Sequence, residues 1–230
     1  MSELESTSAS SAESNGVVLD AAEIRVLAVL AEKEALTPDA YPMSMNALTN
    51  GCNQLSSRDP VMNLTEDDVQ QVVQRLIQDK FVAEVSQAGA RVPKYQHRLR
   101  IKWSLEQDKL AVLTILMLRG PQTAGEIRTR SGRLHEFAAV ADVEICLQFL
   151  IDKYPPLVAR LAKMPGTKES RYMALLSGES PDEVQNMATH VPTSAGRQDR
   201  VQQLEEEVAR LREEVAALSA QFQQFKQQFE

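Results

Sequence analysis

One apolar spacing occurs twice in this chain, and it limits the fold more than any other feature. Val69, Val72, Val73, Leu76 and Ile77 recur as Val143, Cys146, Leu147, Leu150 and Ile151. Both sets follow the i, i+3, i+4, i+7, i+8 intervals of a helix with one buried face. "LAVL" from Leu27 is likewise repeated from Leu110. A repeated spacing of this kind is the mark of a duplicated supersecondary unit.

The surrounding sequence gives that unit a shape. Asp20 is placed to cap a helix over Ala21–Leu36, with Ile24, Leu27, Ala28, Leu30 and Ala31 inward. Pro38 and Pro42 break the chain, and Ser44 caps a second helix. Thr65 caps a third, through about Lys80, with acids in its first turn. "FVAEV" then reads as a strand and "SQAGARVP" as a turn. "KYQHRLRIKW" alternates strictly and predicts one long strand. Tyr95, His97, Leu99, Ile101 and Trp103 fall on one side, and Lys94, Gln96, Arg98, Arg100 and Lys102 on the other.

The second round is similar. Ser104 is expected to cap a helix that ends at Gly120-Pro121. "TAGE" from Thr123 is a capping box. A third helix covers roughly 141–153, and "LVARLA", "KMPGTKES" and "RYMALL" complete a hairpin. Three helices followed by a hairpin is the winged-helix order. The expected fold is therefore mainly α with small β-hairpins (α+β), in two tandem winged-helix domains, 19–103 and 104–178.

The flanks differ in kind. Residues 1–18 are acidic and serine-rich, without the basic start and apolar core of a signal peptide. They predict a disordered lead-in and a cytoplasmic protein with no membrane association. A polar linker, 179–199, precedes heptads over 200–230. Val201, Val208, Val215, Phe222 and Phe229 take one core position, and Leu204, Leu211, Leu218 and Phe225 the other. β-branched residues facing leucines favour a parallel two-stranded coil, hence a homodimer. The alternative is an amphipathic helix that packs on its own chain.

"YPMSMNALTNGCNQLSSRDPVM", the valine-rich helix after it and "LTILMLRGPQTAGEIRTRSGRLHEF" resemble the YceH-like family of bacterial proteins. The resemblance covers roughly 19–178. It implies a tandem winged-helix fold and brings no activity with it.

The residues bear on three classes of function. For nucleic-acid binding, the third helix presents Gln71, Gln74 and Arg75, and glutamine can read adenine. Arg91, Lys94, Arg98, Arg100 and Lys102 would hold phosphate, or else form a plain solvated strand face. Against this, Glu66, Asp67 and Asp68 crowd the helix end that would approach the duplex. A net charge of −7 offers no global attraction to phosphate.

For protein assembly, the aligned third helix of the second unit has Ile145 where Gln71 stands and Phe149 where Arg75 stands. Two such residues need a cover, from the first unit, a sister subunit or a foreign protein. Asn46, Asn50 and Asn53 lie opposite the stripe of Met45, Leu48, Cys52 and Leu55. They either bond the backbone of the following loop or form a polar docking surface with Arg58.

For catalysis, His97, His135 and His190 show no metal spacing, and no phosphate loop or nucleophile motif is present. No cofactor is expected. Cys52 and Cys146 read as buried small hydrophobes. The expectation is a non-enzymatic regulatory protein, nucleic-acid-binding through the first domain, with a protein adaptor as the alternative.

Overall fold

Helix α1, Ala21–Leu36, begins where Asp20 and Glu23 exchange hydrogen bonds. The Glu23 amide donates to Asp20 at 2.7 Å and the Asp20 amide to Glu23 at 2.9 Å. The helix is buried on nearly every side, with Val26, Leu27, Ala28, Val29 and Leu30 all at 0% exposure. A helix that is apolar all round belongs in the middle of a core. Its neighbour there is α5, Gln107–Arg119, buried continuously from Leu110 to Leu118. Each of these helices also packs on the other elements of its own half of the chain.

The computed structural model describes residues 18–85, 92–163 and 169–181. Arg91 and the heptad residues lie outside them. The described residues belong to one unit with a single apolar cluster running through both halves. The Leu19 amide donates to the Leu176 carbonyl at 2.8 Å, which ties the start of the first half to the end of the second.

In the first half, α2 is Met45–Cys52, capped by Ser44, and α3 is Glu66–Gln78, opened by a capping box of Thr65 and Asp68. A Cβ on Gly51 would stand 2.6 Å from Val29 Cγ1, so only glycine lets α2 approach α1 this closely. The strands are β1, Met43–Ser44, β2, Val82–Val85, and β3, Lys94–His97. They form an antiparallel sheet in the order β1-β3-β2, with Met43 opposite Tyr95 and Val82 opposite His97.

The second half repeats this order. Helix α6, Ala124–Ser131, opens with a capping box of Thr123 and Glu126, and α7 is Val140–Ile151. Strands β4, Val158–Arg160, and β5, Tyr172–Ala174, pair antiparallel. Gln122 bridges to Tyr172, with bonds of 3.0 and 2.8 Å, in the place that β1 holds in the first half. In both halves, then, a short bridging segment runs straight into the cap of the second helix.

Two expectations are corrected. The alternating segment is not one long strand. Strand β3 stops at His97, and Leu99–Trp103 forms a short helix, α4. The Arg98 amide donates to Phe81 O at 2.7 Å, and His97 Nδ1 accepts from the Leu99 amide at 3.2 Å, which turns the chain into the helix. Leu99 and Trp103, one turn apart, bury inward. Trp103 meets Phe81 edge-on at 5.4 Å between ring centroids. Ser104 does not cap the next helix. It ends α4 in the left-handed region, φ 49°, and Glu106 takes the N-cap position of α5.

Candidate functional site

Of the predicted nucleic-acid contacts, Arg75, Arg100 and Lys102 are engaged within the chain. Arg75 binds Glu23 at 2.8 Å and Asp20 at 2.7 Å, so it joins α3 to the acids that cap α1. Both Nε and Nη2 of Arg100 donate to Glu34 Oε2 at 3.1 Å, and Nη2 also makes a short contact to Gln107. Lys102 Nζ donates to the Asp79 carbonyl at 2.9 Å and stands 4.5 Å over the Phe81 ring. Lys94 is half-buried on β3. Arg98 is exposed, and among the described residues its guanidinium has no hydrogen-bond or ion-pair partner. The expected basic stripe is thus broken up, because α4 carries Arg100 and Lys102 away from the strand. Gln71 and Gln74 do face solvent on α3, in a shallow depression that Asp67 and Arg75 also line.

The asparagines divide. Asn53 ends α2 and clamps the far end of the loop: its Nδ2 donates to Leu64 O at 2.7 Å, and its Oδ1 accepts from the Leu64 amide at 2.8 Å. Among the described residues Asn50 donates only to Asn46, at 3.1 Å, in an exposed position. Asn53→Ala should therefore cost about 1–3 kcal/mol in urea unfolding, the usual result of stranding such groups. Asn50→Ala should be neutral or slightly stabilising, because alanine is the better helix former. Equal effects of the two substitutions would contradict this division. Leu55 is 85% exposed, because α2 ends at Cys52 and the apolar stripe ends with it.

Arg58 is not a surface contact. Its side chain is at 0% exposure. It donates to Glu32 at 2.6 and 3.1 Å, to Gly51 O at 3.1 and 3.2 Å, to Gln54 at 2.8 Å and to Ser57 O at 3.1 Å. Arg25 lies close by, also buried, and donates to Cys52 O at 3.0 Å and Pro60 O at 2.6 Å. The two guanidinium groups satisfy carbonyls at the end of α2 and in its loop that would otherwise be buried without donors. Burial pushes the Glu32 carboxyl up, but the hydrogen bonds and charge of Arg58 outweigh it and leave the group below the usual glutamate range.

In the second half, Ile145 is 67% exposed and Phe149 41% exposed. The first half does not cover them. Lys109 and Lys153 place their ammonium groups 5.4 and 5.1 Å from the Phe149 ring centre, a cation–π fringe around an open aromatic face. Cys52 and Cys146 are buried, and burial pushes both thiols up to about 12. Among the described residues, no group of three His, Cys, Asp or Glu side chains is placed to hold a metal, and no helix is long and apolar enough to cross a membrane.

A further feature has no counterpart in the sequence reading. A polar cleft of about 370 Å³ opens where the loop after α2 meets α5, α6 and β5. Four arginines line it: Arg58, Arg119, Arg130 and Arg171. The Asp59 amide donates to Leu118 O at 2.8 Å and fixes the loop to the end of α5. The available signal was the run "LRGPQTAGEIRTRSGR", whose one acid, Glu126, faces several arginines.

Residues 19–167 match the family described as "Protein of unknown function, DUF480". The chain belongs to this family. The DUF480 match runs from just before α1 to residue 167, beyond β4. This DUF480 chain is 72% identical over 229 residues to a UPF0502 protein of Janthinobacterium sp. (strain Marseille), with 99% of each chain covered. It is 53% identical over 214 residues to a UPF0502 protein of Azoarcus sp. (strain BH72), covering 92% of this chain and 94% of the other. With a UPF0502 protein of Geotalea daltonii it shares 47% identity over 220 residues, at 93% and 99% coverage.

Proposed function

We propose that this DUF480 protein is a non-enzymatic cytoplasmic adaptor built from two tandem winged helices, which presents a rigid surface to another protein. The winged-helix reading is supported by the order of three helices and a hairpin in each half, with a bridging segment beside each hairpin. One observation carries the functional reading. On α7, the helix equivalent to a reading helix, Ile145 and Phe149 project into solvent, while in the first half Arg75, Arg100 and Lys102 are bound to internal partners. An exposed apolar pair, with two lysines over its one aromatic ring, suits a protein surface better than a phosphate backbone. Dimerisation through the heptad residues Val201 to Phe229 is part of the proposal. Sedimentation of the full chain checks it, and a monomer would defeat it.

A second reading, nucleic-acid binding through α3, is favoured by the open glutamines Gln71 and Gln74 and by the unpaired Arg98. Affinity capture from lysate, with and without nuclease, separates the two. The adaptor reading expects the same protein partner under both conditions, and its loss when Ile145 and Phe149 are both changed to serine. Capture only without nuclease, together with salt-dependent binding to duplex DNA that weakens in Arg98→Ala, would replace it with the second reading.

A further inference from the structure

The cleft between the halves has an electrostatic character at odds with the rest of the chain. Around it stand the guanidinium groups of Arg119, Arg130 and Arg171 and the carboxylates of Asp59 and Glu126, with the sealed side chain of Arg58 behind the loop. Glu32, behind Arg58, shares the charge of that arginine. With the closed Arg58–Glu32 pair set aside, three cations meet two anions, in a protein whose overall charge is −7.

The pairing is also incomplete. Glu126 Oε2 is committed to the Thr123 amide at 2.9 Å, as part of the helix cap. Its Oε1 is left to serve both Arg130 and Arg171, each at 3.7 Å. Those contacts are longer than the charge-assisted bonds that guanidinium and carboxylate form when free to close. Arg119 is half-buried, and among the described residues its guanidinium has no hydrogen-bond or ion-pair partner. Burial and the neighbouring charges of Arg130 and Arg58 all push its pKa down. Such a group destabilises the fold unless something anionic meets it.

From this arrangement we infer that the cleft is a binding site for a phosphate group, carried by a small phosphorylated sugar. Guanidinium forks match phosphate oxygens in pairs, and several forks converging on one polar hollow recognise a compact dianion. The volume, about 370 Å³, lies at the lower end of the range of about 300–1,000 Å³ for small-molecule sites, and leaves room beyond the phosphate itself. The lining contains no aliphatic or aromatic side chain, so the remainder of the ligand is polar and hydroxylated rather than a nucleobase. Because the cleft is built by both halves, its occupant also clamps them together. The inference stands apart from the adaptor reading, since it concerns a different surface.

Calorimetric titration of the full chain tests it, with glucose 6-phosphate, inorganic phosphate and glucose as probes at constant ionic strength set with chloride. Glucose 6-phosphate should bind saturably and glucose should not. Arg119→Gln should weaken binding by about tenfold or more, as expected for the loss of a charge-assisted contact. Because Arg119 makes no side-chain bond among the described residues, this variant should fold and melt at a higher temperature than the native chain, the usual trade of stability for function. Arg130→Gln gives a second variant with little to lose structurally. Equal binding of inorganic phosphate would keep the phosphate chemistry and make free phosphate its source. Absence of saturable binding by either phosphate probe, or binding unchanged in both variants, would overturn the inference. So would duplex DNA that binds tightly and loses its affinity in Arg119→Gln, since the cleft would then belong to nucleic acid.

Discussion

Glu32→Ala should remove about 3–5 kcal/mol of folding free energy, the usual result of leaving one member of a buried ion pair without its partner. Arg58 would keep its backbone acceptors, Gly51 O and Ser57 O, but lose both bonds to the carboxylate. Its charge cannot move into water, because the side chain is sealed at 0% exposure. Joint replacement by Glu32→Leu and Arg58→Met should recover only part of the loss. Such swaps often restore a simple buried pair, but here they strand the Gly51 carbonyl, at about 1–3 kcal/mol. The pH dependence has a fixed sign. The folded Glu32 carboxyl titrates below its usual range. Its contribution is therefore complete above the unfolded glutamate value of about 4.3, and is lost as pH falls through the lower folded value. Urea unfolding followed by circular dichroism over pH checks all of this. A loss of under about 1 kcal/mol for Glu32→Ala would place the pair among ordinary surface bridges and defeat the account.

Leu113→Ala should cost about 2–5 kcal/mol, as buried leucine truncations do, and the cost should be felt in both halves. Leu113 is at 0% exposure within the cluster that joins α1 to α5. The single tryptophan, Trp103, sits in the first half against Phe81, so its fluorescence reports that half. Its unfolding midpoint should drop together with that of the far-ultraviolet signal, although the substitution is in the second half. Two separated transitions, with tryptophan unaffected, would show that the halves are independent after all. By the same reasoning, a fragment of residues 19–103 exposes the face of α1 that α5 covers, and should not fold stably.

Most helix starts, though not that of α5, were legible because capping is local. Asp20 with Glu23, Thr65 with Asp68 and Thr123 with Glu126 are each three residues apart, and each pair forms the reciprocal bonds that its spacing implies. Helix α4 was not legible. Leu99 and Trp103 fit a period of two as well as they fit one helical turn, and a stretch this short does not separate the two. The choice is made by Phe81, whose carbonyl holds the Arg98 amide. Arg58 was misread for a different reason. Arginine is seldom buried, and its partner Glu32 lies 26 residues away in sequence, brought to it only by the packing of α2 on α1. The same holds for Arg75, which meets Asp20 at a separation of 55. Ion pairs across such distances are properties of the tertiary fold. The apolar pair on the outer face of α7, by contrast, followed from aligning the repeats alone, although its exposure to solvent did not. The all-round apolar character of α1 and α5 was present in the sequence too, but a one-sided reading of α1 hid the contact between them.

That contact turns the molecule into a calliper. With α1 and α5 locked in one core, the jaws represented by α3 and α7 cannot swing independently, as they could on two domains joined by a flexible tether. Anything that grips both must match a fixed gap. For a partner that gripped both, selectivity would reside in distance as well as in chemistry, set by the α1–α5 seam without that seam touching the partner.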